Sequence, residues 1–204
     1  MCFATDQEGE GLPGAVAGRR LAPLRTGVGA VNAAFALTRY LAAHRADAVL
    51  VCGVGGAYPG SGLAVGDVLC AESETYGDLG AESPDGFLDM RTLGFPLIEG
   101  PPPVFDVLPL DLFPAARRAR FVTCATVTGT HRRAAEISSR TGGSVESMEG
   151  AALVHVARLM GVRIGEVRGI SNVAGDRDRT RWRVGEASAA ARAALVSWIE
   201  AGGC

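Results

Sequence analysis

Residues 31–56 read VNAAFALTRYLAAHRADAVLVCGVGG, and this stretch decides the fold class. Val31–Arg45 carries apolar residues at helical spacing, with a stripe at Ala34, Leu37, Leu41 and Ala42. Arg45–Asp47 supplies a short turn. Ala48–Cys52 is a continuous apolar run of the kind that forms a strand covered on both faces. Gly53–Gly62 reads as a glycine-rich loop beyond it. A helix feeding a fully buried strand is the building unit of an α/β domain with a parallel or mixed sheet.

The same alternation extends in both directions. Met1–Thr5 is a strand fragment, shorter than a first strand usually is, which suggests a truncated start. Asp67–Thr75, Arg120–Thr126 and Val162–Ser171 predict further strands, and His131–Arg140, Glu149–Met160 and Glu186–Ala201 predict helices. The helix from Glu149 is apolar nearly all round, through Ala151, Ala152, Leu153, Val154, Val156, Ala157 and Leu159, so it should be the most buried of them. Gly77–Arg118 bears several prolines and reads as a surface excursion with some short structure; no site residue is assigned there. The expectation is one domain over residues 1–204, with a mixed central sheet flanked by helices.

Composition narrows the chemistry. All 20 basic residues are arginine, so Schiff-base chemistry, a lysine-dependent phosphate loop and any catalytic amine are excluded. A net charge of −2 lacks the basic field that nucleic-acid binding needs, and favours a small neutral or anionic partner. Cys2, Cys52, Cys70, Cys124 and Cys204 are odd in number and widely separated, which reads as buried thiols in a reducing, cytoplasmic setting. Neither they nor His44, His131 and His155 have metal-ligand spacing, so no metal is expected. No apolar run approaches the ~18 residues of a membrane span, and the acidic N-terminus does not resemble a signal peptide.

Three polar clusters sit at the ends of apolar elements. In Ala4-Thr5-Asp6-Gln7-Glu8, carboxylates directly follow a strand, where open α/β sheets gather ligands and a base is well placed; on spacing alone a solvated acidic turn is the simpler account. In Val145-Glu146-Ser147-Met148-Glu149-Gly150, two carboxylates enter the most apolar helix and would be costly to bury without partners. The bland account puts Ser147 at the N-cap and Glu149 in the first turn, favoured by the helix dipole. In Ile170-Ser171-Asn172 an apolar strand breaks into polar residues, and Asn172 offers both a donor and an acceptor. The Arg/Asp run from Asp176 to Arg181 also fits an exposed turn with ion pairs of little energetic value.

In this order the clusters resemble the nucleoside phosphorylase and nucleosidase superfamily, and within it the futalosine hydrolases of an alternative menaquinone route. The resemblance also rests on Thr26-Gly27-Val28-Gly29-Ala30-Val31-Asn32-Ala33-Ala34, on Gly53-Val54-Gly55-Gly56-Ala57-Tyr58, and on Val65-Gly66-Asp67-Val68. It spans nearly the whole chain and implies a nucleoside phosphorylase-like fold.

Cleaving a purine from ribose passes through an oxocarbenium-like state. The reaction needs a base for water, a grip on the ribose hydroxyls and a group that accommodates charge on the leaving base. By resemblance, Glu8 and Asn172 are the catalytic residues: Glu8 activates water and Asn172 faces the purine. Glu149 holds the ribose diol, Met148 packs on the sugar, Gly55 and Val127 line the nucleoside pocket, and Trp182 closes its apolar side. The resemblance implies no cofactor, a purine nucleoside (futalosine) and water as ligands, and a homodimer or larger homo-oligomer.

Asn172 stands where the adenine-cleaving nucleosidases carry aspartate. Its amide can donate to a carbonyl O6 or to N7, which suits hypoxanthine. Neither Met1–Gly11 nor Gly53–Asp67 holds an arginine to gather phosphate, which favours hydrolysis over phosphorolysis. One of Arg177, Arg179 or Arg181 could pair with a carboxylate at the substrate's far end, although an exposed loop explains them too. Two alternatives stay open at this level: a methylthioadenosine/adenosylhomocysteine nucleosidase, and a catalytically silent nucleoside-binding protein on the same scaffold.

Overall fold

A computed structural model of the chain describes residues 1–203. It begins with β1 (Cys2–Phe3), a one-turn helix α1 (Asp6–Gly9), the short strands β2 (Ala15–Val16), β3 (Arg19–Arg20) and β4 (Leu24–Arg25), and the helix α2 (Ala30–Ala43). Two long strands follow, β5 (Ala48–Ala57) and β6 (Val68–Tyr76), then β7 (Ala81–Ser83), β8 (Gly86–Leu88), α3 (Met90–Leu93) and β9 (Val107–Pro109). The last part holds β10 (Arg118–Thr123), α4 (His131–Thr141), β11 (Val145–Ser147), α5 (Gly150–Leu159), β12 (Arg163–Val173) and α6 (Val184–Glu200).

The main sheet is mixed, in the order β11-β10-β6-β12-β5-β1-β4, with β9 against β6. Its core is the β5–β12 parallel pair, with Ala48 opposite Arg163 at one end and Ala57 opposite Val173 at the other. β11 also pairs antiparallel with the last two residues of β5, so the sheet curls back on itself. Helices α2 and α5 pack beside one another over one apolar cluster that includes Leu37, Val49, Leu153 and Ile164, and α6 covers another through Leu195 and Ile199.

One consequence of the curl places the site. β1 pairs with β5 only at Val51, and β11 takes over at Gly56. Between these points one edge of β5 has no strand neighbour among the described residues. A strand edge inside a protein must satisfy its backbone groups by other means. Here side chains do so, and they are the polar ones.

Several sequence expectations are corrected. Gly53–Gly56 is not loop: β5 runs unbroken to Ala57. The glycines are required because a Cβ at Gly53 would lie 2.5 Å from Glu8 Oε1, and one at Gly55 would lie 2.6 Å from Val145 Cγ1. In α2 Leu37 is buried and Ala34 and Leu41 pack against the core as expected, but Ala33 is buried as well and Ala42 is exposed. β10 stops at Thr123, and β12 continues past Ser171 to Val173, so Asn172 lies inside the strand. Gly77–Arg118 is not wholly a surface excursion, since β9 joins the main sheet and Leu108, Leu110 and Leu112 are buried. Helix α5 is deeply buried at Ala151, Ala152, Leu153, Val154 and Ala157, but Leu159 is exposed. Its N-cap is Glu149, while Ser147 belongs to β11. Cys2, Cys52, Cys70 and Cys124 are buried free thiols, and Cys204 lies outside the described residues. No helix among those residues is long and apolar enough to cross a membrane.

Candidate active site

Beyond the carboxyl ends of β1 and β12, and beside the unpaired edge of β5, lies a cavity of about 340 Å³. Glu8, Gly55, Val127, Met148, Glu149, Asn172 and Trp182 all line it. Open α/β sheets hold ligands at such strand ends. A second hollow of about 400 Å³, between α2 and the β2–β3 ribbon, is rimmed by Arg19, Arg20 and Arg45 and has no buried carboxylate.

Glu8 is fixed by its local sequence and by β5. Thr5 caps α1 by accepting from the Glu8 N–H, and the Glu8 side chain reaches back to the cap, a reciprocal capping box. Its Oε2 accepts from Ala4 N at 3.2 Å, Thr5 N at 3.0 Å and Thr5 Oγ1 at 3.1 Å. Its Oε1 accepts from Val54 N at 3.1 Å, across the unpaired edge. The carboxylate is buried, so it is not a solvated turn.

Glu149 lies two residues beyond β11 as the N-cap of α5, but its side chain makes no cap bond to its own helix. It turns instead to the start of α2, where Oε1 accepts from Gly29 N at 3.0 Å. Gly29 has φ of 93°, a left-handed conformation that glycine adopts without strain. Burial pushes the Glu149 carboxyl up from its ordinary pKa, opposed by the Arg168 guanidinium and the Gly29 N–H.

Asn172 follows an irregularity in the β12–β5 register between Ile170 and Asn172, and such bulges re-aim side chains. Ser171 Oγ donates to Asn172 Oδ1 at 2.8 Å, and Asn172 Nδ2 donates to Val173 O at 3.2 Å. One N–H of the amide is spent on Val173 O, and the other N–H is the donor left for a ligand. Trp182 follows a 3-10 turn at Arg179–Arg181, with the guanidinium carbons of Arg177 and Arg179 at 5.3 and 5.8 Å from its ring centroid. Arg177 and Arg179 border the cavity; Arg181 does not.

Sequence reasoning missed Arg168. It is fully buried in β12, where Nε donates to Glu166 Oε1 at 2.7 Å and NH1 donates to Val54 O at 2.9 Å, while NH2 lies 3.6 Å from Glu149 Oε2. Arg168 and Glu8 thus take the carbonyl and the N–H of Val54 between them. Burial alone would lower the Arg168 pKa, but Glu166, Glu149 and Glu8 outweigh it and hold the charge firmly on. An arginine committed to these carboxylates presents no free positive charge for phosphate. The available signal was Glu166 and Arg168 two apart, on one face of a strand otherwise apolar, because buried charges need partners.

Glu74 of β6 was missed as well. Its Oε2 accepts from Thr123 Oγ1 at 2.9 Å, while Glu74 Oε1 and Glu166 Oε2 are buried and unpartnered. The two carboxyls meet beneath Gly150, where any Cβ would collide with both. Burial together with the neighbouring Glu166 carboxyl raises the Glu74 pKa well above the ordinary range, which favours a protonated Glu74 here. Arg168 is therefore anchored from behind by a carboxyl pair and faces the cavity.

The model of the phosphorylase superfamily matches residues 3–200. The futalosine hydrolase of Thermus thermophilus is 38% identical over 190 residues, covering 88% of this chain and 82% of that one. That of Streptomyces coelicolor is 41% identical over 145 residues, covering 71% and 61%. Among solved structures, the 5'-methylthioadenosine/S-adenosylhomocysteine nucleosidase of Neisseria meningitidis superposes with a TM-score of 0.80 at 19% identity, covering 98% and 97%. The futalosine hydrolase of Helicobacter pylori gives 0.78 at 16%, covering 98% and 96%. At these identities the structures show a shared fold.

Proposed function

This chain belongs to the phosphorylase superfamily and, within it, to the futalosine hydrolases; from that premise we propose that it is an N-ribosyl hydrolase that releases hypoxanthine from futalosine, with water as second substrate. The observation that carries the reading is the convergence of Glu8, Glu149 and Asn172 on one cavity. The nucleosidase alternative rests on structures at 16–20% identity, which speak for the fold alone, whereas the futalosine hydrolases are 38–41% identical over most of the chain.

In this reading each residue has one task. Glu8 Oε2 is saturated by three donors and Oε1 holds one, leaving a lone-pair position on Oε1 for a proton from water. Water oxygen bonds to C1′ as the bond from C1′ to the purine nitrogen breaks, and Glu8 takes the water's proton. Glu149, held by Gly29 N and Arg168, accepts from the ribose hydroxyls, and Met148 packs on the sugar. Asn172 donates its NH2 to the purine and spreads the charge that develops there. An amide hydrogen-bonds without surrendering a proton, so the departing base collects its proton from solvent. Gly55 and Val127 line the pocket, Trp182 closes it, and Arg177 or Arg179 meets the carboxylate of the substrate's far end.

The protein acts as a homodimer or larger homo-oligomer. Val28, Val31 and Phe35 are exposed at the start of α2. Val31 and Phe35 share a helix face at i,i+4 spacing, and Val28 also borders the cavity. A second copy on this patch would cover the cavity mouth.

The deciding experiment supplies futalosine and methylthioadenosine separately and measures free hypoxanthine and adenine. Dominant hypoxanthine release is expected. Dominant adenine release would replace this reading with the nucleosidase one, and no turnover of either would leave a silent binding protein.

A further inference from the structure

Glu146 is buried, lines the cavity and has no part in the mechanism above. It stands in β11 directly opposite Gly56 of β5, and Asn172 of β12 stands opposite the same Gly56 from the other side. Cross-strand partners point to the same face of a sheet. Two strand spacings of ~4.8 Å put the Glu146 and Asn172 backbones ~10 Å apart, with a residue lacking a side chain between them. A Cβ at Gly56 would lie 3.1 Å from Asn172 Nδ2, so the glycine keeps this gap open. The gap is wide enough for a flat heterocycle held edge-on by one side chain from each wall.

The chemistry of the two walls differs. Glu146 Oε1 accepts from Thr128 N at 3.0 Å and Thr128 Oγ1 at 3.1 Å, and Oε2 accepts from Tyr58 OH at 3.0 Å. Burial pushes its pKa up, while these three donors and Arg177 oppose the shift. In its carboxylate form these three donors fill all but one of its lone-pair positions, and the one that remains is on Oε2. The Thr128 N–H borders the cavity but is consumed by Glu146, so this wall offers an acceptor where a backbone donor would otherwise stand. The Asn172 wall offers a donor.

We propose that Glu146 is the specificity-determining residue for the 6-oxopurine, accepting the N1–H of hypoxanthine while Asn172 donates to O6 or N7 across Gly56. A 6-oxopurine presents a donor at N1 beside the acceptors O6 and N7. Adenine presents an acceptor at N1 and a donor at the 6-amino group. A carboxylate against the adenine N1 lone pair leaves both unpaired, and sites built to pair a specific N–H reject analogues that lack it. The inference rests on the proposed hydrolysis of futalosine and names what selects its base.

The test uses the full chain with free hypoxanthine, adenine and 1-methylhypoxanthine in titration calorimetry, and with futalosine and its 6-amino analogue as substrates. A hydrogen bond to a charged group implies that wild-type protein binds hypoxanthine ~10- to 100-fold more tightly than either other base. Glu146→Gln should bring hypoxanthine and adenine to within a few-fold or invert their order. It should also lower kcat/KM for futalosine more than for the 6-amino analogue. Equal wild-type affinity for hypoxanthine and 1-methylhypoxanthine overturns the proposal, as does a folded Glu146→Gln protein that keeps the wild-type ratio. The methylated base is tested on wild-type protein, so that comparison decides the matter even if Glu146→Gln does not fold. Failure of wild-type protein to cleave futalosine would refute the proposed function, while the base affinities would still decide the role of Glu146.

Discussion

Glu8 Oε1 accepts the Val54 N–H at 3.1 Å where β5 has lost its strand neighbour, so a carboxylate takes the place of a sheet hydrogen bond. The geometry makes Glu8 part of the sheet's satisfaction as well as a wall of the cavity. The two roles separate in Glu8→Gln, which keeps the shape and removes the base. Hypoxanthine release should fall at least ~10²-fold while circular dichroism still reports a folded chain. Retained turnover would remove Glu8 from the mechanism.

Gly53 tests the same contact from the other side. Its missing Cβ leaves room for Glu8 Oε1 and for Arg168 NH1, which would lie 2.5 and 3.0 Å from it. Gly53→Ala should displace the carboxylate at a cost of ~1–3 kcal/mol in unfolding free energy, as overpacking usually does, and lower kcat more than that loss of stability explains. A denaturant titration paired with turnover at a temperature where both proteins are folded checks it.

Arg168 binds a cluster that is otherwise acidic. Removing one partner of a buried ion pair typically costs ~3–5 kcal/mol, so Arg168→Met should destabilise on that scale. Adding Glu166→Gln removes one of the stranded charges and should recover part of the loss. The double-mutant cycle in urea measures the coupling, and simple additivity would contradict the network.

Glu74, buried against a second carboxyl, sets a pH dependence. The folded pKa of Glu74 lies well above the ordinary value of 4.5, so its contribution to stability is fully present below 4.5 and is lost as pH rises through the folded value. Glu149 and Glu146 shift the same way. Thermal unfolding should therefore be highest in mildly acid solution and decline toward alkaline pH. Glu74→Gln, which carries its hydrogen permanently, should flatten that decline; an unchanged slope would exclude Glu74 as its source.

The apolar patch on α2 gives the assembly test. Val31→Asp with Phe35→Asp should convert an oligomer to a monomer in light scattering, without affecting the buried face at Ala33 and Leu37. An unchanged mass would place the interface elsewhere.

The alternation of apolar strands with alanine-rich helices was legible because burial imposes period on a chain: Ala48–Cys52 has no polar residue to turn outward, and α5 has almost none. Glu8, Glu149 and Asn172 were legible because each is a polar residue at the end of an apolar element. The glycines misled, since glycine usually marks a turn, whereas Gly53, Gly55 and Gly56 lie in a strand and make room for Glu8, Val145 and Asn172.

Sequence by itself determined the alternation of the main strands and helices, the acidic and amide groups available, and the absence of any lysine. Only the tertiary structure decided which of those groups act together. Arg168 joins Glu8, Glu149 and Glu166, and Glu146 faces Asn172 across Gly56, because β12 and β11 pair with β5 in one register. Those pairings bring residues from distant parts of the chain into contact, and a one-residue slip of either strand would turn the same side chains to the opposite face.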